Sequence, residues 1–220
     1  MLPKEISYLI HEFAGRIAVY NMDFLEKHLD KVNWEMISHN DGVPVEFFEK
    51  YLDKVNWIGL SRNENIPIEF FEHHLDKIEW VYLSMNKNIP VGFFEKYLDK
   101  IDWYWISRNE NIPVEFFEKY LDKVSWESLS GNRNIPAEFF ERHLDKVDWV
   151  CISGNTNIPV EFFEHHLDKI EWWGLSMNKN IPVKFFEKYI DKVDWVGLSY
   201  ILPVEFLEKY LDKIHWKSLS

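Results

Sequence analysis

Residues 65–86 read N-I-P-I-E-F-F-E-H-H-L-D-K-I-E-W-V-Y-L-S-M-N, and this phrase returns in register along almost the whole chain. Its tryptophan recurs every 23 residues, with a final step of 21: Trp34, Trp57, Trp80, Trp103, Trp126, Trp149, Trp172, Trp195 and Trp216. Self-similarity at a fixed period indicates a repeat protein, because a unit this short must bury its apolar face on its neighbours. The sequence therefore predicts nine tandem units over residues 21–220.

The apolar spacing within one unit predicts two helices. Phe70, Phe71, His74, Leu75 and Ile78 stand at offsets that draw one stripe on a helix of about eleven residues, which would hold Pro67 in its first turn and end at Lys77. Trp80 and Leu83 are out of phase with that stripe, so the chain must turn near Ile78.

A second helix of about six residues should begin at each tryptophan. The residue before it is usually a capping type, as in Asn33, Asn56, Asp102, Ser125, Asp148 and Asp194. The helix should end at an Asn-x-Asn segment, and the exchange of Asn for Gly42 in the first unit predicts a left-handed backbone conformation there.

These elements predict an all-α protein, an α-solenoid of nine roughly 23-residue helix-turn-helix repeats. Residues 1–20 do not match the repeat, and their apolar pattern predicts an N-terminal capping helix that begins at Pro3. The alternative is a leucine-rich-repeat horseshoe, which L-S-x-N-x-x-I-P and the period both resemble. That family places strand apolar residues two apart before the Asn, whereas Trp57 and Leu60 are three apart. This spacing favours helices.

Composition excludes several classes of function. The chain carries 25 Lys plus Arg against 37 Asp plus Glu, a net charge of −12, which argues against nucleic acid as a partner. Its only cysteine is Cys151, so no internal disulfide forms and a reducing, intracellular compartment is expected. The chain has no apolar run of transmembrane length, so we expect no membrane partner.

No constellation of side chains points to catalysis or to a cofactor. The pairs His73-His74 and His165-His166 lie four repeats apart and cannot share one metal ion, so a structural role is expected for them. Acids such as Glu72 recur in every unit in near-identical settings, whereas a general acid and base need different environments. We expect no enzyme, no cofactor and no metal.

The positions that vary between copies indicate where a partner would bind, because the constant residues are used in packing. They are the two positions after each tryptophan and the positions around the first loop Asn. Residues of the types that anchor protein interfaces occur there and form the predicted binding surface: Met85, Tyr104, Trp105, Arg108, Trp173 and Met177. Residues 207 and 25 are Leu where inner repeats carry Phe, and an exposed last repeat would also allow two copies to pair end to end.

The phrase W-x-x-L-S-x-N-x-N-I-P-x-E-F-F-E-x-x-L-D-K resembles short Trp-containing tandem repeats of uncharacterised proteins from large DNA viruses. The likeness covers residues 21–220, although D-K-V-x-W stands here where those proteins often read D-K-P-W-D-W. It implies a virus or its host lineage as the origin, and the expected location is the cytoplasm or a viral factory. The expected function is a non-enzymatic scaffold for a protein partner.

The opening L-P-K-E-I-S-Y-L-I-H-E-F, residues 2–13, resembles the start of an F-box, a motif that docks substrate receptors on a ubiquitin-ligase scaffold. The likeness covers only this short part of the motif. It implies the alternative function, a substrate adaptor in which the repeats hold the client.

Overall fold

The computed structural model describes residues 22–218, and every regular element in that range is a helix, with no strand. The chain divides into two compact units, one ending at Asp102 and one beginning at Trp103. Each unit is a stack of helical repeats, which confirms the predicted all-α solenoid class and rules out a horseshoe built on strands.

Two kinds of helix alternate along the chain. Phe helices carry the F-F or F-L pair, and they are α1 (Met22–Lys27), α3 (Val45–Lys50), α5 (Ile68–His73), α7 (Val91–Lys96), α9 (Val114–Lys119), α11 (Ala137–Glu141), α13 (Val160–His165), α15 (Val183–Lys188) and α17 (Val204–Leu207). Trp helices begin at a repeat tryptophan, and they are α2 (Trp34–Ser38), α4 (Trp57–Arg62), α6 (Trp80–Met85), α8 (Trp103–Arg108), α10 (Trp126–Ser130), α12 (Trp149–Ser153), α14 (Trp172–Ser176) and α16 (Trp195–Ile201). Two 3₁₀ turns follow, Glu208–Tyr210 and Trp216–Ser218.

The Trp helices begin as predicted. The side chains of Asn33, Asn56, Ser125, Asp148 and Asp194 each accept a hydrogen bond from the backbone N–H three residues on, which is the geometry of an N-cap. The helices span five to seven residues, close to the predicted six.

The Phe helices are shorter than predicted. In α5 the helix ends at His73 rather than at Lys77, because His74 leaves the helical region at φ −133° and ψ 37°. The next turn is separate, with the Lys77 N–H donating to the His74 carbonyl at 2.9 Å. The break leaves the His74 ring 4.9 Å from Phe70 and 5.6 Å from Trp57, measured between ring centroids. Pro67 stands at the N-cap, one residue before the helix proper.

The predicted left-handed turn is also wrong. No residue in the described range has a positive φ. The Asn63 Oδ1 accepts the Asn65 N–H at 3.0 Å, and the Asn40 Oδ1 accepts the Gly42 N–H at 2.9 Å in the same way. Asn and Gly exchange at the second position because this side-chain turn needs only a backbone N–H there.

An aromatic layer joins each Trp helix to the Phe helix that follows it. The tryptophan lies nearly parallel to the first Phe of the next helix, with ring centroids 5.7 to 6.3 Å apart. The second Phe is fully buried, as Phe48, Phe71, Phe94, Phe117, Phe140, Phe163 and Phe186 show. Burying such a ring contributes roughly 1.5–3 kcal/mol, so this layer supplies much of the apolar stabilisation.

Buried polar side chains join successive repeats within each unit. The Asn155 Nδ2 donates to the carbonyls of Ser130 at 3.0 Å and Asn132 at 3.1 Å. The Ser153 hydroxyl donates to the Trp149 carbonyl at 2.6 Å and accepts the Glu171 N–H at 3.0 Å. Equivalent asparagines repeat these bonds and form an asparagine ladder: Asn63, Asn86, Asn132, Asn155 and Asn178. Backbone groups between repeats are satisfied in this way.

The predicted capping helix over residues 1–20 lies outside the described residues.

Candidate protein-binding face

The second and sixth positions of each Trp helix point to solvent. In α14 the buried residues are Gly174, Leu175 and Ser176, so Trp173 and Met177 lie on the opposite, exposed side, four residues apart. The other repeats also expose these two positions, except that Ile58 and Met85 are half-buried. These outward positions vary in sequence, but so does the third position, which is buried at Gly59, Ser128, Gly174 and Gly197.

An apolar patch occupies these positions in the second unit. Val150, Trp173, Met177, Val196 and Tyr200 are each between 39% and 63% exposed. They belong to α12, α14 and α16 or directly follow them, and these helices contact one another in sequence order. A cluster of large exposed apolar side chains on neighbouring elements is typical of an interaction site.

The six residues of the predicted surface fall into separate groups. Trp173 and Met177 lie in the apolar patch, while Tyr104 and Arg108 are exposed on α8. Trp105 is only half-buried, and its ring meets that of Tyr104 edge to face at 5.1 Å. Met85 is half-buried in the first unit. The structure thus exposes four of the six and partly buries two.

A second feature of the same unit is a shallow depression of about 220 Å³, which we call the glycine pocket. It is lined by Tyr104, Arg108, Glu127, Ser128, Gly131, Cys151 and Gly154. Only Tyr104 and Arg108 of this set were in the predicted surface. The sequence did contain a sign of the pocket, because Gly131 and Gly154 stand where other repeats carry large side chains.

The Phe helices present a charged surface instead. Lys188 Nζ lies 3.1 Å from Glu164, one repeat earlier, and Lys96 and Glu72 pair at the same distance. Other lysines cover the tryptophan rings, with Nζ between 5.6 and 6.0 Å from the ring centroid: Lys54, Lys100, Lys123, Lys146, Lys169 and Lys192. These contacts give this side a polar, solvated character.

His74 and Cys151, the side chains with the most chemical potential, both lie among packed neighbours. The His74 ring packs on Trp57 as the Tyr51 ring packs on Trp34, so the histidine takes the aromatic slot of the repeat. Burial raises the pKa of the Cys151 thiol to about 11, and the Asp148 carboxylate adds to the shift. A thiol that stays protonated is a poor nucleophile. No group of three potential metal ligands occurs within residues 22–218.

Comparison with known proteins gave no match to a family model, a curated protein or a solved structure. Among the described helices, none has the length and apolar character needed to cross a bilayer.

Proposed function

We propose that this chain is a non-enzymatic protein–protein interaction scaffold that binds its partner through the Trp-helix side of the second unit. The apolar patch of Val150, Trp173, Met177, Val196 and Tyr200 carries this proposal. The repeat resemblance extends it to a viral protein that engages a host partner.

The composition of the patch supports a protein as the partner. Trp and Tyr are the residues most enriched among those that dominate binding energy, and Met adapts its shape to a partner's surface. The Trp173 ring is 59% exposed, so a partner can still bury most of it. The other repeat tryptophans before position 216 are half-buried against the following Phe helix. Trp173 is therefore an additional tryptophan outside the packing pattern.

Charge supports a protein partner over nucleic acid. The net charge of −12 repels a phosphate backbone. It would speed the encounter with a basic protein surface, while the apolar patch would hold the complex once formed.

The test begins by finding what touches the apolar patch. A photo-cross-linking amino acid at position 196 of the full chain leaves Trp173 in place and, expressed in cells, would tag the partner for identification by mass spectrometry. The affinity of the purified partner is then measured for Trp173→Ala. We expect a loss of about 30-fold or more, since a central tryptophan contributes about 2 kcal/mol or more.

The matched control is Val204→Ala, which truncates an exposed apolar side chain on a Phe helix of the same unit. It should bind as the unaltered chain does. Wild-type affinity in Trp173→Ala would refute the proposal.

The alternative function is the ubiquitin-ligase adaptor, which the likeness of residues 2–13 to an F-box supports. Its test is affinity purification of the full chain and of a form without residues 1–20. Recovery of ligase scaffold subunits with the full chain alone would favour the adaptor. Equal recovery with both forms would exclude docking through this segment.

End-to-end pairing of two copies is a further proposal for the partner. Leu211 and Trp216, beyond the last Phe helix, are both more than half exposed. Light scattering of the full chain over a range of concentrations should then show a dimer that Trp216→Ala weakens. A monomer at every concentration would end this proposal.

A further inference from the structure

The glycine pocket owes its existence to two neighbouring repeats that lack a side chain. Gly131 and Gly154 follow the buried serine of α10 and α12, at the C-cap of each helix. Other repeats carry large residues at this position: His39, Arg62, Met85, Arg108, Met177 and Tyr200. A Cβ added at Gly154 would meet only the Cys151 carbonyl, at 3.7 Å. The space is therefore open, and the fold does not require glycine there.

Polar groups without protein partners surround this space. Ser128 is 5% exposed as a whole residue, and its buried Oγ has no hydrogen-bond partner among the described residues. Arg108 and Glu127 line the same depression, and within residues 22–218 neither forms an ion pair. A buried hydroxyl without a partner costs about 1–3 kcal/mol in a folded protein, so an occupant toward which the Ser128 side chain could turn and bond would remove a penalty.

From these groups we infer that the glycine pocket receives one carboxamide side chain, Gln or Asn, of a protein partner. A carboxamide is neutral and offers both N–H donors and a carbonyl acceptor. The Arg108 guanidinium would donate to its oxygen and the Glu127 carboxylate would accept from its nitrogen. For a charged group, attraction to one of Arg108 and Glu127 would be offset by repulsion from the other, whereas a purely apolar group would bond to neither.

The size of the depression agrees with a side chain rather than a free metabolite. Its volume of about 220 Å³ is below the ~300–1,000 Å³ of typical small-molecule sites. The Tyr104 ring at its edge offers an aromatic face, and the protonated Cys151 thiol adds no charge. The assignment of the occupant to a protein rests on the proposed function. The preference of the pocket for a carboxamide can be measured without a partner.

The experiment uses four small probes and the uniformly ¹⁵N-labelled full chain. The probes are the N-acetyl, N-methylamide derivatives of glutamine, glutamate, lysine and glycine, followed through the backbone amide signals of Ser128, Gly131 and Gly154. The glutamine probe should shift these signals and saturate in the millimolar range, as befits a ligand of this size. The glycine probe carries the same main-chain amides without the side chain, so it separates the two sources of an amide group.

The variant Gly154→Met fills the pocket with the residue that stands at positions 85 and 177. It should abolish the shifts caused by the glutamine probe. The control Gly92→Glu gives α7 the residue that most Phe helices carry at this place, where an added Cβ meets nothing within 4 Å, and should leave them unchanged.

Three results would overturn the inference. The glycine probe could cause equal shifts, which would assign binding to main-chain amides. A charged probe could bind as tightly as the glutamine probe, or no probe could bind. Because no partner is needed, these results are separate from those at Trp173: probe binding with an unaffected Trp173→Ala complex would retain the pocket and reject the proposed function.

Discussion

Replacing one asparagine of the ladder should destabilise the protein more than the loss of so small a side chain suggests. Asn155 is buried, and its side chain makes three hydrogen bonds to backbone groups. Its Nδ2 donates to the carbonyls of Ser130 at 3.0 Å and Asn132 at 3.1 Å, and its Oδ1 accepts the Asn157 N–H at 3.0 Å. Asn155→Ala removes all three and leaves the Ser130 carbonyl unpaired, while the Asn132 carbonyl keeps the Ile135 N–H at 3.4 Å.

The magnitude follows from these bonds. A net contribution of about 1 kcal/mol for each gives a loss of about 3 kcal/mol in the free energy of unfolding, and the unpaired Ser130 carbonyl raises it further. Asn155→Asp keeps the acceptor for the Asn157 N–H but places an anion against two carbonyl oxygens. It should destabilise at least as much as Asn155→Ala. A role limited to the local turn would leave Asn155→Asp near wild type.

Urea denaturation followed by tryptophan fluorescence and far-UV circular dichroism measures both effects. The control is Asn180→Ala in the same unit, which removes an exposed bond from the Asn180 Nδ2 to the Thr156 carbonyl and should cost under about 1 kcal/mol. Because repeats contact only their neighbours, Asn155→Ala should also split the two signals into separate transitions. A loss below about 1 kcal/mol in Asn155→Ala would refute the assignment of the ladder as a stabilising element.

Two further predictions concern a pair of glycines and the cysteine. Gly92→Ala should raise the free energy of unfolding by about 0.5–1 kcal/mol, because the added Cβ enters open space on a helix. Gly59→Ala should lower the free energy of unfolding, because the added Cβ would lie 2.8 Å from the Ser38 Cβ. Equal urea midpoints for the two variants would contradict this. Because the pKa of Cys151 is raised from 9.0 to about 11, its thiolate fraction near neutral pH should be about a hundredfold lower than in the unfolded chain. The rate of alkylation by iodoacetamide should therefore keep rising with pH beyond 9. A rate that levels off near pH 9 would count against the shift.

Local signals in the sequence identified the helices correctly, and contacts across repeats decided where the chain departs from those signals. The capping residues before each tryptophan predicted where the Trp helices begin, because an N-cap acts within three residues. The stripe from Phe70 to Ile78 continued past the true helix end, since the break at His74 accompanies packing against Trp57, which is 17 residues earlier. A helical stripe in one unit cannot show that contact.

The turn between repeats was misassigned for a similar reason. Asn and Gly are shared by left-handed turns and by side-chain turns, and composition alone does not separate them. The Asn65 side chain also donates to the Asp41 carbonyl of the preceding repeat at 2.7 Å, which explains why Asn is the commoner residue. Variability identified the exposed second and sixth positions of the Trp helices, but it also selected the third position, which packs inward in most repeats. The glycine pocket depends on two glycines of adjacent repeats together.

The exposed surface does not vary freely from one repeat to the next, because neighbouring repeats constrain each other in size. A Cβ at Gly59 would lie 2.8 Å from the His39 Nδ1, and one at Gly197 would lie 3.0 Å from the Met177 Cγ. At these two places a large residue at the end of one Trp helix accompanies a glycine on the next one.

The pair Arg62 and Tyr82 shows the other solution, in which the guanidinium lies 4.9 Å from the ring centroid and the two large groups stack. Beside the glycine pocket both positions are glycines, Gly154 and Gly174. A Cβ at Gly174 would lie 3.5 Å from the Gly154 nitrogen. Filling the pocket thus requires only one substitution, at Gly154, whereas enlarging Gly174 would push against backbone. A repeat array can in this way open or close a pocket on its surface without changing the aromatic layer or the asparagine ladder that hold it together.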